Sequence, residues 1–540
     1  MNNESNELGK SVVSASIART PLAALLALGM ALAARAAPPP DGAAAQELPK
    51  VIHDWPCYLG PNGNFTESSG ARLADDLSQS PQLWTSEVKD IGPGKISGKP
   101  NPGAKYPLPA GGAASPIVSG GLVIQAYFIP TGDAWDKFYE QQIGPAEFPK
   151  WKYKWLVSAD DVVVAIDAAT GKTRWRQVFA GKGANMPMLK RGGWEVTPAA
   201  DGTRVFSLGT TGRLYALDLA TGKLLWEKNV EPAHERLEKA KAQGIAEGRL
   251  VALDLYGGLI VVDGVLLVPD GAAGLAGFDP ESGKQLWHLD KQTNGLTSGY
   301  NMPAPVAIDG QRYVITANRT GDLRLIRPKS GEVLWSHALK SMHLTQPVMG
   351  QKLLLAYEPA PHLEGDVVAG GYGLLAGYSI DLKGVRRVWT LPDKYHHELH
   401  KDGGPFPRIL PREGIIYYLH WTNHPKVARN LVVVRESDGT VLSEREDQTN
   451  GMLLWGDKLI TTGDSQHEHT NGPQGTFQAL DIRDPADLKP TGKTMLFNNW
   501  EAGRRGAVAY ELPMWTPFVD GLAWFRSANG DIVCWDLRQP

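Results

Sequence analysis

Ala165-Ile166-Asp167-Ala168-Ala169-Thr170-Gly171-Lys172-Thr173-Arg174-Trp175 is one copy of a phrase that this chain repeats. It returns as Ala216-Leu217-Asp218-Leu219-Ala220-Thr221-Gly222-Lys223-Leu224-Leu225-Trp226, and again as Gly277-Phe278-Asp279-Pro280-Glu281-Ser282-Gly283-Lys284-Gln285-Leu286-Trp287. A weaker copy runs from Leu325 through Ser330-Gly331-Glu332 to Trp335. Gly and Trp keep the same spacing in all of them. Copies at intervals of roughly 50 residues mean units that cannot bury their own apolar faces and must stack on one another.

Each copy reads as strand, turn, strand. In Arg213–Asp218 and Leu224–Trp226, β-prone residues flank a polar turn. Asp218 can accept from the turn amides, Thr221 can do so more weakly, and Gly222 can take positive φ. Trp226 then offers a large apolar surface to the next unit. Upstream of each copy lies a second strand pair around an Asp-Gly turn, such as Asp201-Gly202, Asp263-Gly264 and Asp309-Gly310. The unit is therefore four antiparallel strands, labelled A to D from the axis outward.

Outer strands fall near Trp84, Trp175, Trp226, Trp287, Trp335, Trp389, Leu442 and Met495, and A–B pairs begin near Pro116, Pro198, Leu259, Pro305, Pro347, Ile409, Met452 and Met514. Both counts predict an all-β, eight-bladed propeller. The first D strand, around Trp84, has no A to C before it; the last C strand, Asp531–Asp536, has no D after it. Together they make one blade, blade one, which closes the ring and leaves no open end. Two segments interrupt the pattern: an aromatic-rich insert over about 133–155, and an Ala/Glu/Lys-rich one over about 231–249 that reads as a helix. In the later blades the phrase decays. Trp389 stands five residues after Gly384, and Ser443 takes the Trp position after Gly439.

Before the propeller (54–540), residues 1–36 read as an export signal and 37–53 as a linker. Lys10 and Arg19 precede an apolar run, Pro21 to Ala34, and Ala34-Arg35-Ala36 offers a small-x-small cleavage site. The run of about 14 residues is short of the about 20 that a spanning helix needs, so no membrane span is expected after cleavage and the expected location is periplasmic or secreted. The formal charge of −3, without a long basic run, argues against nucleic acid as a partner. Export would permit a disulfide between the two cysteines, Cys57 and Cys534; two buried thiols are the alternative.

The Asp-x-x-(Thr/Ser)-Gly-Lys-x-x-Trp phrase resembles that of the quinoprotein (pyrroloquinoline quinone-like) propellers, which include quinone-dependent alcohol dehydrogenases and the outer-membrane assembly factor lipoprotein. Asp54-Trp55-Pro56-Cys57-Tyr58-Leu59-Gly60-Pro61-Asn62-Gly63 is similar to the leader of exported bacterial members. The resemblance covers roughly residues 54 to 538 and implies the fold, because the phrase is a packing device. The family's alcohol dehydrogenases use an adjacent Cys-Cys disulfide over the quinone and a calcium ion. This chain has no adjacent Cys pair, so pyrroloquinoline quinone with calcium is not supported by its motifs, and the cofactor stays open.

Candidate chemistry collects where the phrase decays. In this topology the D–A and B–C connections share one face, here the loop face, and loops on a rigid scaffold are where sites are built. Seven of the 13 histidines lie between 396 and 469. His396, His397 and His400 fall on the connection into blade seven, His420 and His424 on its B–C connection, and His467 and His469 on that of blade eight. His343 precedes strand A of blade six, and Tyr357 and Glu358 lie in its B–C region. His467 and His469 share a side if extended; His396 and His400 align if helical. These four are candidate ligands for a divalent transition metal, which imidazole suits. His343, His420 and Tyr357 are candidate acid–base groups. Trp194, Tyr300, Trp421 and Trp515 are candidates for stacking on a sugar ring.

Three functions compete: a binding or scaffold module taking a protein or carbohydrate ligand on the loop face, a metal-dependent carbohydrate-active enzyme of lyase type, and a divergent quinone-dependent dehydrogenase. The first is preferred, because the repeat is intact and the quinoprotein machinery is missing. Oligomeric state is left open.

Overall fold

The computed structural model describes residues 51–67, 70–92, 110–111, 114–131, 157–185, 196–230, 258–269, 274–289, 303–317, 322–339, 347–360, 372–398, 409–420, 430–446, 451–462, 476–496, 517–527 and 530–538. The export signal and both inserts lie outside these residues.

Eight antiparallel sheets form the propeller, each ordered A-B-C-D. Blades two to five end at outer strands Thr173–Asn185, Leu224–Asn229, Gln285–Leu289 and Val333–Ala338. Blade six comprises Val348–Met349, Leu354–Pro359, Tyr372–Asp381 and Gly384–Thr390; blade seven, Ile409–Arg412, Ile415–His420, Asn430–Arg435 and Val441–Glu446; blade eight, Gly451–Trp455, Lys458–Thr462, Thr476–Asp481 and Lys489–Leu496. Blade one is closed as the sequence predicts. Phe518–Val519, Leu522–Arg526 and Ile532–Asp536 supply A to C, and Gln82–Thr85 pairs against Ile532–Asp536 as D, with Trp84 opposite Cys534.

The repeated phrase is a staple between neighbouring blades. The indole Nε1 of each outer-strand Trp donates to a carbonyl in the C–D turn of the next blade: Trp84 to Ala168 (3.1 Å), Trp175 to Leu219 (2.9 Å), Trp226 to Pro280 (3.1 Å), Trp287 to Pro328 (2.7 Å), Trp335 to Asp381 (2.8 Å) and Trp389 to Glu436 (2.6 Å). The turn is shaped to receive the ring. Asp218 Oδ1 accepts from the Thr221 amide at 2.8 Å and its hydroxyl at 2.6 Å, and Gly222 sits at φ 70°. A Cβ on Gly222 would come within 2.5 Å of Trp175, so only glycine admits the indole.

The decayed copies keep the junction by other means. In blade six, Asp381 pairs directly with Gly384, so the turn is a two-residue hairpin loop and Trp389 moves one place along, still opposite Gly377. In blade seven the Ser443 hydroxyl donates to Pro485 O at 2.7 Å, where an indole N–H stands elsewhere. Between blades eight and one, Asp76 Oδ1 accepts from the Lys493 amide at 3.1 Å.

Residues 52–67 and 70–73 form a leader along the A strands. Trp55 exchanges two backbone bonds with Val118 of blade two, Pro56 O accepts from the Ala200 amide of blade three, Asn64 donates to Met349 O of blade six, and Leu73 bridges Arg538 after blade one. Cys57, Tyr58, Leu59 and Phe65 join the largest core cluster. The disulfide does not form: both cysteines are free and buried, Cys57 in that cluster and Cys534 in another with Trp84 and Trp524. Desolvation pushes the Cys57 thiol up to about 12, so it is inert at neutral pH.

Candidate functional site

The connection from blade six to blade seven builds the site. After Trp389, residues Asp393–Tyr395 make one 3-10 turn and His397–Glu398 then run back as a short fifth strand against Tyr372–Gly373 of blade six. Pro392 starts a tight turn and the backbone is extended over His396–Glu398; His400, the other member of the expected His396/His400 pair, lies outside the described residues.

Tyr395, Lys394 and Glu444 pin this connection to blade seven. Glu444 accepts from the Tyr395 hydroxyl at 2.9 Å, from Lys394 Nζ at 3.1 Å and from Asn430. Burial alone would raise the Glu444 carboxyl, but these three donors hold it below the usual range. Tyr418 adds a bond from its hydroxyl to Tyr395 O at 3.0 Å.

That geometry brings four of the sequence-predicted residues into two contacting pairs. Tyr357 lies in strand B of blade six rather than in a loop, wholly buried. His397 stacks on it, ring centres 4.8 Å apart and 24° from parallel, and Tyr418 stands 6.0 Å away. His420 ends strand B of blade seven, 1% exposed, and meets His396 edge to face at 5.4 Å. His396 Nδ1 lies 2.9 Å from Asp393 O. A carbonyl can only accept, so the proton sits on Nδ1.

Neither ring nitrogen of His420 meets a partner at hydrogen-bonding geometry. The backbone at His396 lies near enough to favour the protonated ring weakly, but burial and the second imidazole outweigh it and push His420 down to about 4. At neutral pH the His420 ring is therefore uncharged. His343, His400, His424, His467, His469, Trp194, Tyr300, Trp421 and Trp515 lie outside the described residues.

Next to this cluster, but on the outer side of blade six, Glu358 accepts from Tyr378 (2.6 Å), Arg387 (2.8 Å) and Thr390 (3.1 Å), which ties strand B to strands C and D. Its carboxylate is spent on structure.

The sequence did not point to a second feature. A cleft of ≈ 590 Å³ opens on the opposite face, the turn face, between the leader and the A–B turns of blades six, seven and eight. Asn64, Thr66, Arg72, Gln351, Arg412 and Asp457 line it. Its signal in the sequence is the leader itself, the Asn/Gly/Pro-rich stretch outside the repeat.

The described residues do not fit a quinone held under a disulfide with calcium. Cys57 and Cys534 are separate and buried, and among the described residues no three His, Cys, Asp or Glu side chains converge as metal ligands.

Comparison with known proteins supports the reading of the repeat. A family model described as outer membrane protein assembly factor BamB matches residues 159–404. The chain is 25% identical over 264 residues to "Outer membrane protein assembly factor BamB" of Shewanella oneidensis, covering 47% of this chain and 59% of that protein. It is 25% identical over 293 residues to "Polyvinylalcohol dehydrogenase" of a Pseudomonas species, covering 46% of this chain and 45% of that protein. The chain thus spans about half the length of these relatives. Among solved structures, the quinohemoprotein alcohol dehydrogenase of Comamonas testosteroni is 14% identical with a TM-score of 0.48, over 90% of this chain and 81% of that one. BamB from Moraxella catarrhalis is also 14% identical, with a TM-score of 0.42 over 70% and 89%.

Proposed function

We propose that this chain, which belongs to the PQQ-like propeller repeat family, is an exported binding module that receives a protein partner on its loop face. The observation that carries the proposal is the path of the leader. It bonds to blades two, three and six and bridges the end of blade one on the turn-face side of the ring. The C–D turns of that face are already engaged in blade-to-blade staples. The loop face remains for recognition, where connections vary without disturbing the scaffold. A relative named as an outer membrane protein assembly factor supports a protein partner and an exported setting. The N-terminal charge-then-apolar pattern supports export independently. A carbohydrate ligand on the same face, processed by a metal-dependent enzyme or merely bound, is a weaker form of this reading.

The competing class is a quinone-dependent dehydrogenase, to which the second relative's name belongs. Mature protein mixed with pyrroloquinoline quinone and calcium is expected to bind no stoichiometric quinone and to reduce no dye with a panel of alcohols, including polyvinyl alcohol. Stoichiometric binding with alcohol-dependent dye reduction would overturn the binding-module reading.

A further inference from the structure

The turn-face cleft lies where the leader touches two blades and passes the A–B turn of the one between them. On one side Asn64 donates to Met349 O of blade six at 3.3 Å. On the other, Gly456 in the A–B turn of blade eight lies so close to Ala71 O that a Cβ there would come within 2.4 Å of it. The blade-seven turn, Pro411 to Glu413, lines the space between, and Arg412 donates to Gly456 O. The ≈ 590 Å³ enclosed is in the usual range for a small-molecule site.

The cleft carries unmatched charge of both signs. Arg72 follows Ala71 and Asp457 follows Gly456, so a guanidinium and a carboxylate flank one backbone contact. They do not pair with each other, and among the described residues Arg72 has no ion partner. Asp457 lies 3.2 Å from Lys458 Nζ, but that one ammonium also serves Asp75 at 3.4 Å, which leaves this side net negative. Arg483, the next cation, is held by Asp481 at 2.9 Å. Glu413 adds a second carboxylate from the tip of the blade-seven turn, 84% exposed.

We propose that this cleft binds a short peptide with free termini, its α-carboxylate on Arg72 and its α-ammonium on Asp457 or Glu413. The lining holds two guanidiniums, Arg72 and Arg412, against three carboxylates, Glu67, Glu413 and Asp457, which argues against a phosphate. No aromatic ring is among the described lining residues, so a sugar ring has nothing to stack on. A zwitterion satisfies both signs, and a carboxylate on a guanidinium is among the strongest polar contacts available. The Gln351 carboxamide, without a side-chain bond among the described residues, can both donate to and accept from a peptide group. The inference is independent of the protein-partner reading above, which concerns the opposite face.

Equilibrium dialysis of the mature chain against a pool of tripeptides with free termini, read by mass spectrometry, tests it. The same pool amidated at its C-terminus, the pool acetylated at its N-terminus, maltotriose and inorganic phosphate are run beside it. Members of the free pool are expected to be retained, and amidation and acetylation each to weaken retention at least about tenfold, the loss of a charge-assisted bond. Arg72→Gln, at an exposed position, is expected to hold the free and amidated pools alike, while Arg386→Gln on the outer strand of blade six keeps the wild-type difference. Melting curves identify a variant that fails to fold; if Arg72→Gln does, the comparison of free and amidated pools on the wild type decides. No tripeptide retained at millimolar concentration, equal retention of the free and amidated pools by the wild type, or retention of maltotriose or phosphate in place of peptide overturns the site.

Discussion

The Ser443 hydroxyl donates to the carbonyl of Pro485 at 2.7 Å, the bond that the indole of Trp175 makes to Leu219 at 2.9 Å two junctions after the ring closure. The hydrogen bond has outlived the side chain that carries it elsewhere, while the apolar wedge has not. The two contributions can therefore be measured apart. Trp175→Ala and Trp389→Ala, both over nine-tenths buried, are expected to cost about 3–5 kcal/mol. Ser443→Ala should cost about 1 kcal/mol. Denaturant melts read the difference, and equal losses at the two kinds of junction would contradict the staple.

Asp161 gives the fold a pH dependence. It is buried between blades two and three, accepting from the Tyr215 hydroxyl at 3.0 Å and the Thr210 hydroxyl at 3.2 Å, and desolvation pushes its carboxyl up to about 6. A raised folded-state value means that the folded chain holds this proton more tightly than the unfolded one. The stabilisation is full below about pH 4 and lost as pH rises through 6. Two units correspond to roughly 3 kcal/mol. Asp161→Asn, which keeps an acceptor for Thr210, should match the wild type near pH 4 and exceed its stability by on the order of 2–3 kcal/mol at pH 7.5. Urea midpoints across that range check it.

The leader is anchored at its start by Asp520 in the A–B turn of blade one. Its carboxylate accepts from the amides of Ile52 (2.8 Å) and His53 (3.0 Å) and pairs with the His53 ring. Asp520→Ala should cost about 1–2 kcal/mol through the two charge-assisted backbone bonds and speed proteolytic removal of the leader. The His53 ring is half exposed, and its pair with Asp520 raises its pKa. That part of the anchor is full below about pH 6.5 and fades as pH rises through the folded value. Limited proteolysis at pH 6 and pH 8 should show earlier leader cleavage at pH 8 in the wild type, and no such difference in Asp520→Ala.

Blade number, strand order and ring closure were legible because the phrase repeats the same packing problem at every junction. Gly222 and Trp226 announce a turn and a wedge wherever they occur. Even the decayed blades were countable, since the short apolar run Leu431-Val432-Val433-Val434, bounded by polar residues, still reads as a buried strand. The path of the leader was not legible: it pairs through backbone atoms at Trp55 and Pro56 with no periodic side-chain pattern. The stacking of His397 on Tyr357 was hidden for a related reason. It depends on a connection that turns at Pro392 and folds back on blade six, and nothing in His396-His397-Glu398 distinguishes that from the helix which would have aligned His396 with His400. The free cysteines show a limit of chain-path arguments. Both ends of the chain meet at blade one, yet Cys57 has already moved with the leader towards blade three.

The central claim is that partners meet the loop face. A photo-cross-linking residue placed at Lys394, on the connection into blade seven with a side chain 64% exposed, can be compared with one at Glu413, in the turn-face cleft with a side chain 84% exposed. Both are irradiated in the cells that make the protein. The account predicts a discrete protein adduct from position 394 and none from position 413; adducts from 413 alone would contradict it.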